Sequence, residues 1–356
     1  MRGTIITEDF EKIVYNSDIN WKQLKNKTVL VTGATGEIGK ALIKALVYAN
    51  SKLHIDINVV AAVRDINKAS TIFSHELKYE KWLSFVEADV ENFRFDMESV
   101  DYIVHGASPT KGEYFINYPV ETIWTNVQGT RRMLEFAKNK GASAFVFLSS
   151  MEIYGGVADD TVIVEECGTS IDTMRVRNCY PESKRLGEAL CAAYCKEYGL
   201  ATKVIRLAQT FGAGMSNEET RVYAQFVNAV LRREDIILHT KGTSCRGYLY
   251  ISDAVSGILK VLLCGDAGEA YNAVNEKTYC SIYEMAVLVA NRIANGEIRV
   301  VVKEDLKKKS EYPPTGNLRL SSAKLRALGW NPTVGLEEMY IRTISEKLEE
   351  QVRVCK

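Results

Sequence analysis

An apolar run, Thr28-Val-Leu-Val-Thr32, opens directly onto Gly33-Ala-Thr35-Gly36-Glu37-Ile38-Gly39. Ile38, Leu42, Ala45, Leu46 and Ala49 then recur at helical spacing. A buried strand is thus handed to a helix through three glycines, each three residues from the next. Gly33 permits the tight turn, Gly36 allows backbone to approach a diphosphate, and Gly39 lets the helix lie close to the strand. The first N–H groups of the helix carry a partial positive charge and suit phosphate oxygens. Thr35, Glu37 and Ile38 complete a turn whose context assigns it to a dinucleotide.

The rest of the first half repeats the alternation. Strands are predicted at 57–63, 85–89, 100–104, 144–148 and 203–207, with helices at 66–75, 119–138 and 181–198. Strands alternating with helices imply an α/β fold, a doubly wound parallel sheet covered on both faces. Beyond residue 207 the alternation loosens, and no long buried strand is expected until 269–274. The sequence divides into a helical extension at 1–26 (helix 9–15), a nucleotide-binding domain at 27–207 and a smaller mixed α/β lobe at 208–356. Segment 248–275 is expected to return to the first domain. The tail carries Tyr312-Pro-Pro and ends in an amphipathic helix near 336–350.

Charge and cysteine usage exclude several classes. Lys and Arg total 45, and Asp and Glu total 45. No global basic field exists to hold nucleic acid or an anionic membrane. No apolar run reaches the roughly 18–20 residues of a membrane span, and the amino terminus lacks the layout of a signal peptide. Eight cysteines are scattered without a C-x-x-C, and four histidines lie far apart. Neither pattern suits a metal. A reduced, cytoplasmic protein without nucleic-acid, membrane or metal partners is expected.

Two further places carry chemistry. The second strand ends Ala62-Val63-Arg64-Asp65. A carboxylate there suits the ribose 2′-hydroxyl of NAD, and a guanidinium suits the 2′-phosphate of NADP(H). Arg64 favours NADP(H), with NAD left open. Asp89-Val90 lies where an adenine edge could hydrogen-bond, with a structural turn as the competing reading. Tyr180-Pro-Glu-Ser-Lys184 then sets Tyr and Lys four apart on one helix face. A phenol of pKa about 10 is a poor base at neutral pH, and an adjacent ammonium favours the phenolate. Lys184 can also hold a nicotinamide ribose. Ser149 and Ser150 close the preceding strand, placed to share a sugar hydroxyl with Tyr180.

Thr32–Gly39, Ser150 and Tyr180–Lys184 together resemble the extended short-chain dehydrogenase/reductase superfamily, over roughly residues 27–332. His105-Gly-Ala-Ser-Pro109, Thr125-Asn126-x-x-Gly129-Thr and Arg177-Asn-Cys-Tyr180 are most similar to UDP-glucuronate decarboxylases. The resemblance implies a Rossmann-type lobe, a lobe for a nucleotide-diphosphate sugar, and a homodimer formed through helices including that of Tyr180. It implies Tyr180 as acid/base, Ser150 as its partner, Lys184 as ribose and electrostatic support, and Glu152 as a further acid/base. Ala107 is placed beside the cofactor, and Ser108, Gln209, Arg221 and Arg246 beside the substrate. Arg206 also resembles a position near the nucleotide.

Departures accompany the match. Met151 stands where sugar 4,6-dehydratases carry a proton-donating Asp. Ser321, not Arg319, aligns with an Arg used by some bacterial decarboxylases. Gln209 replaces a frequent Asn. The shared step is hydride exchange between a nicotinamide and a sugar carbon, with Tyr180 moving the hydroxyl proton. Arg64, Met151 and Ser321 lean the reading to an NADP(H)-dependent reductase of a nucleotide-linked keto sugar, as do similar capsule-cluster enzymes acting on cytidylyl-linked ketoses. The alternative is a redox-neutral UDP-glucuronate decarboxylase or epimerase with tightly bound NAD. A non-catalytic dinucleotide-binding module is the lesser alternative.

Overall fold

The computed structural model describes residues 4–16, 18–79, 81–89, 97–110, 112–157, 161–305 and 316–354. Val90 and Tyr312-Pro-Pro lie outside the described residues. Seven parallel strands form the main sheet: β1 (Thr28–Thr32), β2 (Asn58–Val63), β3 (Leu83–Glu87), β4 (Tyr102–His105), β5 (Ala144–Ser150), β7 (Thr202–Leu207) and β11 (Ala270–Ala273). Their order is β11-β7-β5-β4-β1-β2-β3. Successive residues of β1 are buried on both faces because helices cover both. Among these are α2 (Glu37–Leu53), α5 (Pro119–Lys140) and α6 (Cys179–Tyr198), with α1 (Ile5–Asn16), α3 (Ile66–Ile72) and α4 (Gly112–Asn117) completing the first part of the chain. The strand order reverses between β1 and β4. That switch point opens a crevice at the carboxyl ends of the strands, where ligands of such sheets bind.

The second lobe is built on a smaller sheet of β8 (Gln209–Phe211), β10 (Cys245–Tyr250) and β12 (Asn275–Ser281). Two strand pairs flank it: β6 (Val162–Ile163) with β14 (Arg319–Leu320), and β9 (Ile236–Leu238) with β13 (Val300–Val302). Helices α7 (Val222–Arg232), α8 (Ile251–Cys264) and α9 (Ile282–Leu288) and the carboxy-terminal helix Leu336–Val354 pack around them. β10 corrects the expectation that no long buried strand precedes 269–274, since its burial is continuous after Cys245. Gly247 disguised it, because a glycine weakens a strand pattern. Here a Cβ on Gly247 would stand 2.5 Å from the Val274 side chain. α8 was equally illegible. It is buried almost all round, so no polar face marks its period. It carries the chain back to the main sheet, where β11 pairs with β7. The third strand begins two residues before its expected position and ends at Glu87, leaving Asp89 beyond it. Among the described residues no helix is long and apolar enough to cross a membrane.

The amino-terminal extension is part of the body. α1 is longer than expected and packs against α2, α8 and the carboxy-terminal helix. Its Asp9 is 3% exposed. The carboxylate accepts from the Tyr250 hydroxyl at 2.8 Å and from Arg342 Nη2 at 2.8 Å. Burial pushes the Asp9 carboxyl up to about 6, against the pull of Arg342. Removing one partner of such a pair leaves a buried charge uncompensated, at a cost of about 3–5 kcal/mol. Arg342→Met is therefore expected to lower unfolding free energy by about that much, read by urea denaturation. The double variant with Asp9→Asn should recover most of the loss, and equal stability of wild type and Arg342→Met would refute the buried pair.

Candidate active site

The turn after β1 is held by contacts no side chain could share. Gly33 has φ +68°, and a Cβ there would stand 2.5 Å from the carbonyl of Gly106. A Cβ on Gly39 would stand 2.3 Å from the Gly33 oxygen. Gly36, whose Cβ would meet that oxygen at 3.2 Å, caps α2. Thr35 lies in the same turn, and Glu37 and Ile38 begin the helix. Thr32 Oγ1 accepts the N–H groups of Gly106 and Ala107, each at 3.2 Å, and lies 2.7 Å from His105 Nδ1. His105 Nε2 meets Thr130 Oγ1 at 3.1 Å. Burial and the nearby Lys184 push the imidazole down to about 3, so His105 is a neutral brace. Ala107 and Ser108 follow it at the mouth of the crevice, with the Ser108 hydroxyl donating to Pro109 O. Arg64 is exposed at the end of β2. Asp65 beside it caps α3 by accepting from Lys68 N at 2.9 Å. Asp89 is exposed after β3.

Across the crevice, β5 delivers Ser150 to the start of α6. The Ser150 hydroxyl stands beside the Tyr180 phenol, while Ser150 Oγ accepts from Glu152 N at 3.2 Å, and the Tyr180 ring stacks on Phe115 at 4.3 Å. Burial pushes this phenol up to about 12; the Glu152 charge adds to the rise and the neighbouring Ser150 hydroxyl opposes it. Lys184, one turn on, is 2% exposed. Its Nζ donates to Leu148 O at 2.9 Å and lies 6.0 Å from the Tyr180 ring centre. Burial brings the ammonium down to about 7, opposed by Glu188. Glu152 accepts from Arg177 Nη1 at 2.6 Å, and Arg177 lies 5.9 Å from the Phe115 ring centre. The signal for Arg177 in the sequence is its position three residues before Tyr180. Met151 is 1% exposed within the core, where it can give no proton.

Two expectations are corrected here. Ser149 does not join Ser150 at the phenol, because adjacent strand residues point to opposite faces; its hydroxyl donates to Glu188. Arg206 is not free for a nucleotide. It forks onto Glu188 through Nε and Nη2, and its Nη1 donates to the Tyr154 hydroxyl at 2.7 Å and to Glu165 O at 2.8 Å.

The second lobe carries the remaining candidate residues. Arg221 precedes α7, pairs bidentately with Glu219, and lies 3.5 Å from Glu37. Its charge reaches the Tyr180 phenol. Arg246 on β10 is 8% exposed and its Nε has no hydrogen-bond partner. Gln209, on the adjacent β8, has a buried Oε1 without a partner. Ser321 Oγ accepts from Ala323 N, and the Arg319 guanidinium stands 5.7 Å from the Tyr279 ring centre.

Residues 29–275 match the NAD dependent epimerase/dehydratase family. The chain belongs to that family. It is similar to UDP-glucuronic acid decarboxylase 1 of Xenopus tropicalis, 30% identical over 332 residues, which span 91% of this chain and 74% of that one. It is 31% identical to UDP-glucuronic acid decarboxylase 3 of Arabidopsis thaliana over 321 residues, 88% of this chain and 86% of that one. Its fold is similar to that of UDP-glucuronic acid 4-epimerase from Bacillus cereus in complex with UDP-glucuronic acid and NAD. There the TM-score is 0.75 at 19% identity, covering 91% of this chain and 99% of that chain. The protein is thus an enzyme of the nucleotide-sugar epimerase/dehydratase type within the extended short-chain dehydrogenase/reductase superfamily.

The residues of this family member fit a nicotinamide dinucleotide. Gly33 and Gly39 sit where a Cβ has no room, and the amino terminus of α2 faces that turn. The buried Lys184 ammonium gives a titration to measure. A lysine whose folded value is depressed contributes stability that is complete above its free value of 10.5 and is lost as pH falls towards about 7. Between those limits the unfolded chain binds the extra proton, so this group makes stability rise with pH. Urea unfolding between pH 7 and 9 should show that rise in wild type and a flatter profile in Lys184→Met. Parallel profiles would contradict the assignment.

Proposed function

We propose that this enzyme converts a nucleotide-diphosphate uronate by redox-neutral chemistry, as a UDP-glucuronate decarboxylase with retained NAD. The observation that carries the reading is Ser150 set beside the Tyr180 phenol with Lys184 one turn away, together with the buried Arg246 of the second lobe, whose Nε has no partner. The decarboxylase relatives support the uronate, and NAD in the Bacillus cereus epimerase complex supports NAD. The reductase reading rests on Arg64, which is exposed at the end of β2, and on Met151 and Ser321, and finds no counterpart among these relatives.

The dinucleotide, when bound, supplies a hydride acceptor that later returns the hydride. Everything else falls to the chain. Tyr180 takes the proton from the sugar 4-hydroxyl, with Ser150 holding that oxygen and Lys184 favouring the phenolate. A 4-ketone places the 6-carboxylate β to a carbonyl, so the C5–C6 bond breaks with loss of CO2 and its electron pair enters an enolate. Glu152, held by Arg177, is the acid that returns a proton at C5. Tyr180 then gives its proton back to the 4-oxygen as the ketone is reduced. The balance is one uronate and one proton in, one pentose and one CO2 out. Arg246 and Gln209 receive the nucleotide diphosphate and sugar, the guanidinium forking onto anionic oxygens, whereas the fork of Arg221 is already taken by Glu219. Met151, sunk in the core, disfavours 4,6-dehydration.

The expected result is turnover of UDP-glucuronate to a UDP-pentose and CO2 without accumulation of NADH, followed by chromatography of the products. Tyr180→Phe should lower kcat by about 10²–10⁴-fold with dinucleotide retained. Stoichiometric consumption of NADPH with a nucleotide-linked ketose would instead establish the reductase, and full activity in Tyr180→Phe would end the catalytic assignment.

A homodimer belongs to the same proposal. Val120, Ile123 and Trp124 on α5 and Leu186 on α6 are large apolar side chains left exposed on two helices that pack together. A second copy covering this face fits them. Sedimentation should give a dimer that Trp124→Glu converts to a monomer, and a monomeric wild type would exclude it.

A further inference from the structure

The loop that links β8 to α7 runs back to the dinucleotide turn. Two residues on the first turns of α2 reach it. Glu37 Oε1 accepts the Ser216 N–H at 3.2 Å, and Lys40 Nζ donates to Gly214 O at 2.7 Å. Glu37 Oε2 also lies 3.5 Å from Arg221 Nη2. The loop is anchored independently on its far side. Lys347 donates to Met215 O and to Asn217 Oδ1, and the Tyr250 hydroxyl, itself held by Asp9, accepts from Ala213 N at 3.4 Å. The loop therefore bridges the two lobes at the helix end whose free N–H groups suit a diphosphate.

A carboxylate at this place needs an explanation. An unpaired charge in the first turn stabilises a bare helix but repels an anion bound at the same end. Glu37 is turned to the loop, where a backbone N–H and a guanidinium absorb its charge. Burial raises its carboxyl against the pull of Arg221. Swinging the loop away would undo both contacts and return the charge to the helix end.

We propose that Glu37 is a retention residue: through Ser216 and Arg221 it fastens the second-lobe loop 212–221 across the mouth of the dinucleotide site, so that cofactor leaves only when this clasp opens. The inference rests on the dinucleotide reading of the glycine turn and deepens it. Glu37 acts through the loop and touches no reacting atom. Slow exchange is what a redox-neutral cycle requires, since the reduced cofactor must remain until the hydride returns.

The test uses the full-length protein and NADH, with release followed by fluorescence after mixing with excess NAD. Glu37→Ala removes both contacts and should speed release by about tenfold or more, the scale of losing a charge-assisted hydrogen bond. Glu37→Gln keeps an acceptor for Ser216 N but loses the charge facing Arg221, and should fall between. Thermal melting of the cofactor-free variants should match wild type, because the loop keeps its anchors on the carboxy-terminal helix. Release rates equal to wild type in both variants would overturn the clasp alone. Failure of wild type to bind NADH would overturn the dinucleotide reading and the clasp with it.

Discussion

The contact between the turn after β1 and the end of β4 is the constraint on which the rest depends. The Gly106 carbonyl lies where a Gly33 Cβ would be, and Thr32 fastens the two strand ends by accepting from Gly106 and Ala107. Only a glycine can occupy Gly33, both for lack of room and because φ is positive. Those strands flank the reversal of strand order, so this contact shapes the crevice. His105 keeps the join neutral. An imidazolium there would place a second buried cation near Lys184, and burial forbids it.

From that crevice the chemistry of the opposite wall follows. Tyr180 and Lys184 are both displaced by burial towards their neutral forms, the phenol up to about 12 and the ammonium down to about 7. A phenol at that value is no base at neutral pH. A positive charge brought beside the phenol lowers its pKa and raises the worth of a nearby hydrogen-bond donor. Ser150 already supplies such a partner, and Arg221 projects a favourable charge from the other lobe. The same burial that penalises ionisation also keeps water from competing for the proton, so the arrangement is tuned by what enters the crevice.

How much was legible in the sequence depended on whether a residue's role was set locally. Gly33, Gly36 and Gly39, and the Tyr180–Lys184 spacing, are answers to backbone geometry within one turn or one helix, and they stand where the spacing put them. Ser149 and Ser150 are neighbours with the same side chain, yet strand alternation sends one to Glu188 and the other to Tyr180. α8 was hidden because it is buried almost all round. Asp9 was unreadable for another reason: its partners Tyr250 and Arg342 come from distant parts of the chain.

The arginines show why residue type alone could not locate the substrate. Arg206, Arg221 and Arg246 all matched positions near a nucleotide, but their surroundings divide them. Arg206 forks onto Glu188 and also serves Tyr154 and Glu165, so an anion would have to displace a paired carboxylate to reach it. Arg221 is neutralised by Glu219 but stays within reach of Glu37, an arrangement that couples a loop to the helix beneath it. Arg246 is as buried as many core residues and has an Nε with no partner. Leaving such a donor unpaired is costly, and an anionic oxygen at that guanidinium removes the cost. Three identical side chains thus serve as scaffold, fastener and receptor, according to which carboxylates the fold sets beside them.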